Sequence, residues 1–63
     1  MKFRCVVLIG REFTYEGPWH DRWSTARDNG RDANRVIAND CNWPTNWFVQ
    51  DSEGNSHHQE PKA

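Results

Sequence analysis

Residues 6–16, with the sequence VVLIGREFTYE, decide how many strands this chain of 63 residues contains. Apolar residues recur at alternate positions from residue 3 to residue 15, and a period of two is typical of a β-strand. A straight strand over that length would extend about 43 Å, whereas a chain of this size has a radius of gyration near ~11 Å. We therefore predict that the chain reverses within this stretch.

The reversal is predicted to be a two-residue turn of type II′ at Gly10 and Arg11. Glycine accepts the positive φ angle that this turn requires at its first central position. The alternative is one long strand, bent by a glycine bulge at the same point. The hairpin is the preferred interpretation because it keeps both halves of the stretch inside the globule.

The predicted hairpin also decides which residues share a face of the sheet. Its register places Leu8 opposite Phe13 and Val6 opposite Tyr15. The other face of the first strand then carries Phe3, Cys5, Val7 and Ile9. A strand that is apolar on both faces is usually central and covered twice. A single helix would therefore leave one of its faces uncovered.

A helix is predicted between residues 25 and 41, because small and apolar residues recur there at helical spacing. These residues are Ala26, Gly30, Ala33, Ile37 and Cys41. A glycine inside a helix costs about 1 kcal/mol relative to alanine, so the helix starts either near Thr25 or only near Arg31. Pro44 ends it, and residues 47–50 are predicted to form a third strand.

The predicted fold class is α+β: a small antiparallel sheet, made of a β-hairpin and a third strand, packed against one helix in the order β-β-α-β. Residues 1–51 are predicted to form a single mini-domain. Residues 52–63 are predicted to be a disordered tail, since the segment lacks apolar periodicity.

The composition narrows the class of function. The formal net charge of −1 argues against a strongly basic nucleic-acid binder and against a highly acidic mimic of nucleic acid. The chain has no apolar run long enough for a membrane span or for the core of a signal peptide. A cytoplasmic location without membrane association is therefore expected.

No catalytic residue, cofactor or metal site is predicted. The histidines and cysteines lack the spacing that places two metal ligands together, and the four glycines do not form a phosphate-binding loop. Cys5 and Cys41 are predicted to be buried thiols. A chain this short also has little room for a substrate pocket, so no small-molecule substrate is evident and an enzyme is not expected.

Protein contact is the preferred hypothesis for function. An apolar face left open on a small protein usually meets a partner, and tryptophan is enriched in binding hot spots. A protein partner or a homo-oligomer is expected, with contact residues Trp19, Trp23, Trp43, Trp47, Phe3 and Val7. The alternative is that the tryptophans complete the core.

Nucleic-acid contact is the alternative function. Arg27, Arg31 and Arg35 are four residues apart and therefore form one stripe on the predicted helix, which would suit successive phosphates. Asp28 and Asp32 each precede an arginine by three residues, and such pairs also stabilise a solvated helix face. Both interpretations of the stripe stay open at this point.

Overall fold

The computed structural model describes residues 1–61 and contains one antiparallel sheet with one helix against it. Along the chain, the elements are β1 (Phe3–Ile9), β2 (Phe13–Glu16), α1 (Trp23–Asp40), β3 (Thr45–Asp51) and β4 (Ser56–His57). The strand order in the sheet is β2-β1-β3-β4. The predicted α+β class is confirmed, and a fourth strand extends the predicted order to β-β-α-β-β.

The chain reverses after β1 as predicted, but the predicted turn and register are wrong. Residues 10–12 form a three-residue loop, so Ile9 pairs with Phe13 and Leu8 pairs with Thr14. Gly10 has a φ of 61°, and its N–H donates to the carbonyl of Pro44 at 2.9 Å. Because Gly10 is still held beside β3, the turn extends one residue beyond the predicted position.

The shift of one residue exchanges the faces of the hairpin. Tyr15 lies opposite Val7 instead of Val6, and Phe13 lies opposite Ile9. Residues of β1 with odd numbers therefore share a face with the aromatic residues of β2. The helix packs on that face, since Asn29 of α1 contacts Cys5 of β1. The opposite face of β1 carries Arg4, Val6 and Leu8.

The core lies between the helix and strands β1 and β3. Phe3, Ala26 and Val49 form its buried cluster, with Trp23 and Trp47 packed against it. The helix begins at Trp23 and therefore includes Gly30. A β-carbon at Gly30 would lie 2.5 Å from the Trp47 ring and 2.9 Å from the Cys5 β-carbon. Glycine lets the helix approach the sheet this closely.

Strand β4 lies in the segment that was predicted to be a tail. The buried Asp51 side chain accepts hydrogen bonds from the N–H groups of Glu53 at 2.9 Å and Asn55 at 3.0 Å. Its second carboxylate oxygen lies 2.6 Å from Nε2 of His57. These contacts hold residues 52–57 against β3. Residues 62 and 63, the end of the predicted tail, lie outside the described residues.

Within residues 1–61, no helix combines the length and the apolar character needed to cross a bilayer.

Candidate functional site

An exposed apolar surface lies along β2 and beside the helix. Its members are Phe13, Tyr15, Val36 and Trp43, which are 53%, 40%, 55% and 52% exposed. We call these four residues the β2 surface. Aromatic side chains of this size normally account for much of the area buried in cores and interfaces, so half-exposed ones mark this region as the candidate site.

The position of the helix explains why these aromatic residues stay exposed. Within residues 1–61, the backbone of α1 lies close to β1 and β3 but not to β2. Phe13 instead stacks on Trp43, which follows the helix, with ring centroids 5.5 Å apart and planes 15° apart. Despite this stacking, each of the two side chains remains about half exposed.

A groove of about 350 Å³ runs between β2 and the helix. Tyr15 forms its β2 side, and the helix contributes Asn29, Asp32, Ala33, Val36 and Ile37. The lining is therefore mostly apolar, with two polar side chains, Asn29 and Asp32. Asn29 also accepts a hydrogen bond from the buried Cys5 thiol.

The backbone of β2 also faces solvent along one side. The N–H of Gly17 donates to the carbonyl of Cys5 at 2.9 Å. Because hydrogen-bonding direction alternates along an antiparallel strand, Phe13 and Tyr15 also turn their backbone groups toward β1. Thr14 and Glu16 turn theirs outward, at the edge of the sheet.

The six residues predicted for protein contact do not form one patch. Phe3 and Val7 are buried under the helix, and Trp23 and Trp47 are half-buried against the core. Trp19 is 45% exposed, but it packs against the Arg4 guanidinium, 4.5 Å from the ring centroid. Only Trp43 belongs to the β2 surface. Sequence reasoning missed Phe13 and Tyr15, whose alternation in β2 was the available signal.

The predicted arginine stripe is present on α1, and each arginine lies beside an aspartate. Asp28 accepts from Arg27 at 3.1 Å and from Arg31 at 3.4 Å, and Asp32 accepts from Arg35 at 3.5 Å. Arg27 also lies over the Trp23 ring, 5.3 Å from its centroid. The stripe is therefore partly neutralised by the same helix.

Replacing Arg31 and Arg35 together with glutamine should change the free energy of unfolding by no more than about 0.5 kcal/mol. Both side chains are mostly exposed, and exposed ion pairs of this spacing contribute little in water. Urea unfolding of the variant and of the wild type checks this. A decrease of more than about 1 kcal/mol in the free energy of unfolding would contradict this prediction. Weaker binding to a polyanion with a reduced salt slope would favour the nucleic-acid alternative.

Cys5 is poorly suited to act as a nucleophile. Its side chain is fully buried, and its thiol donates to the Oδ1 atom of Asn29 at 2.9 Å. Burial raises the pKa of this thiol above its usual value, which lowers the fraction of reactive thiolate. Cys41 is half-buried, and both cysteines are unpaired.

The buried Asp51 and the half-buried His57 form an acid–base pair at the junction of β3 and β4. The hydrogen bond from His57 lowers the pKa of Asp51 to about 2; burial opposes this shift, and the N–H groups of Asn55 and Glu53 support it. Within residues 1–61, no cluster of three such side chains suited to hold a metal ion is present. The geometry of the pair accounts for the attachment of β4.

The Asp51–His57 pair should make stability depend on pH below pH 4. The pKa of Asp51 is about 2 in the folded chain and about 3.9 when unfolded. A lowered pKa contributes stability that is complete above the unfolded value and is lost as pH falls through the folded value. Thermal unfolding at pH 5, 3 and 2 should show this loss, and Asp51→Asn should reduce it. Equal pH slopes for the two proteins would contradict the assignment.

Comparisons of this chain with protein-family models, with curated protein sequences and with solved structures gave no match. The exposed β2 surface is therefore the feature of the molecule from which a function can be inferred.

Proposed function

We propose that this chain is a non-enzymatic binding protein that acts through protein contact at the β2 surface. The observation that carries the proposal is the exposure of three aromatic side chains along one strand and its neighbouring loop: Phe13, Tyr15 and Trp43. Aromatic residues are enriched at the centres of protein interfaces, where their burial contributes much of the affinity.

The size of the β2 surface supports a contact of modest affinity. An aromatic side chain buries about 150–250 Å² when it is fully enclosed, so three half-exposed ones leave roughly 300 Å² accessible. An apolar patch of about 300–600 Å² is the largest on a typical monomer and is often functional. A stable complex buries about 800 Å² per partner, so backbone and polar contacts at the rim have to supply the remainder.

The state of the cysteines supports a cytoplasmic location for this binding protein. Cys5 and Cys41 are both unpaired, and unpaired thiols are typical of a reducing compartment. We therefore propose that the chain meets its partner inside the cell.

A pull-down from the native host tests the proposal, with the tagged wild type compared with a Phe13→Ser, Trp43→Ser double variant. Captured protein should be lost from the double variant, because both rings of the stacked pair are removed. Trp19→Ser is the matched control, since Trp19 is similarly exposed but packs against Arg4, away from the β2 surface.

Two outcomes would contradict the proposal. The first is that the wild type binds no host protein and shows no self-association. The second is that Trp19→Ser reduces capture as much as the double variant does.

A further inference from the structure

We infer that the β2 surface binds a second copy of this chain, and that the two β2 strands pair across a two-fold axis. Each copy contributes a four-stranded sheet with β2 at one edge, so pairing gives a continuous sheet of eight strands. This inference rests on the proposed function, because it names the partner that the β2 surface would bind.

The backbone of β2 is suited to pair with its own copy. Thr14 and Glu16 turn their N–H and C=O groups outward, because the residues that alternate with them, Phe13, Tyr15 and Gly17, bond to β1. A two-fold contact is self-complementary, so the same strand supplies donors and acceptors on both sides. Two hydrogen-bonded residue pairs then form across the axis.

Charge selects one register among the three nearest two-fold arrangements. Centring the axis on Thr14 places Glu12 opposite the partner's Glu16, and centring it on Glu16 places that residue opposite the partner's Glu16. Like charges directly opposite are destabilising. Centring it on Tyr15 pairs Thr14 with the partner's Glu16 and places no two like charges directly opposite, so the two Glu16 side chains are only diagonal neighbours. The geometry therefore favours the axis at Tyr15.

This register also limits the length of the pairing. Glu12 lies opposite the partner's Pro18, and proline has no N–H to donate. Tyr15 lies opposite the partner's Tyr15 in a pair that is not hydrogen-bonded, where side chains are closest. The two phenol rings meet on the helix side of the sheet, next to the grooves that Tyr15 and Val36 line in each copy.

The opposite edge of the sheet is less accessible to a second copy. In β3, Val49 and Gln50 already pair with β4. Trp47 is the next residue to face that edge, and its N–H donates to the Oδ1 atom of Asn46 at 2.9 Å. The Asn46 side chain thus occupies the donor that an added strand would need. Within residues 1–61, no side chain accepts a hydrogen bond from the outward N–H of Thr14 or Glu16 in β2.

Sedimentation of the full chain from about 10 µM to about 1 mM is the first test. The wild type should show a concentration-dependent dimer. Thr14→Pro removes an outward N–H that β1 does not use, and it should weaken the dimer at least about tenfold. Thr14→Val is the matched control, because it keeps the N–H and the branched shape, and it should dimerise like the wild type.

Disulfide formation is the second test, and it is specific to the register. In a Cys41→Ser background, Tyr15→Cys should give a covalent dimer under mild oxidation, because opposed residues of this kind have Cα atoms about 4.5 Å apart. Phe13→Cys shares the strand and the face but lies opposite the partner's Gly17, so it should crosslink far less. Circular dichroism of each variant checks that the monomer is folded.

The outcomes separate this inference from the proposed function. A wild type that stays monomeric up to about 1 mM overturns the second copy as the partner. Equal crosslinking at positions 13 and 15 overturns the register and, with it, the two-fold axis at Tyr15. A monomer that still captures a host protein through Phe13 and Trp43 overturns this inference and leaves the proposed protein contact standing.

Discussion

A Gly30→Ala protein is expected to be less stable than the wild type by about 2 kcal/mol in free energy of unfolding. Alanine normally favours a helix over glycine by about 1 kcal/mol. Here, however, the new β-carbon would meet the Trp47 ring at 2.5 Å and the Cys5 β-carbon at 2.9 Å. Overpacking of a core typically costs about 1–3 kcal/mol, and a contact on two sides leaves the methyl group nowhere to move.

Urea or thermal unfolding measures the effect, with Asn39→Ala as the matched control. Asn39 lies in the same helix and is exposed, so its replacement should be neutral or slightly stabilising. A Gly30→Ala protein as stable as this control would show that the helix does not lie against Trp47 as closely as described.

The Val7→Ala substitution should lower the free energy of unfolding by about 2 kcal/mol, whereas Leu8→Ala should lower it by less than about 1 kcal/mol. Val7 is fully buried between the helix and the sheet, and its truncation leaves a cavity. Leu8, the next residue, is 39% exposed on the face without a helix. The larger side chain is therefore expected to give the smaller effect.

Denaturant unfolding of the two variants under identical conditions tests which face of β1 the helix covers. The ratio of the two losses in unfolding free energy is more informative than either value alone, because both substitutions lie in β1 and differ in the face that they occupy. A greater loss for Leu8→Ala than for Val7→Ala would reverse the assignment of the faces.

The chain reversal could be predicted from the sequence, but the register of the hairpin could not. Alternation and length are local properties, and they indicated a turn near Gly10. The turn is extended by a hydrogen bond that the Gly10 N–H donates to the carbonyl of Pro44, far along the chain. A difference of one residue then moves Phe13 and Tyr15 to the opposite face.

Strand β4 was missed for a different reason. Its attachment depends on hydrogen bonds to the Asp51 carboxylate, while residues 52–57 carry no apolar pattern. Sequence periodicity reports the burial of apolar side chains, so it gives no signal for a segment held by polar groups.

The candidate site was predicted only in part, through Trp43. Phe3 and Val7 belong to the face that the helix covers, and the sequence did not show which face of β1 that is. Phe13 and Tyr15 are exposed because the helix backbone lies beside β1 and β3 and not beside β2. The lateral position of a helix on a sheet follows from close contacts such as the one at Gly30, and periodicity alone does not contain that information.

Because Cys5 is buried, its reaction with a thiol reagent can report transient separation of the helix from the sheet. The thiolate form of cysteine attacks an alkylating reagent, and Cys5 presents a shielded thiol with a raised pKa. In a Cys41→Ser background, the labelling rate at Cys5 therefore follows how often the helix and the sheet separate. Any ligand that favours the closed state would slow that chemistry, so a mass shift measured over time would register binding without a dye or a tag.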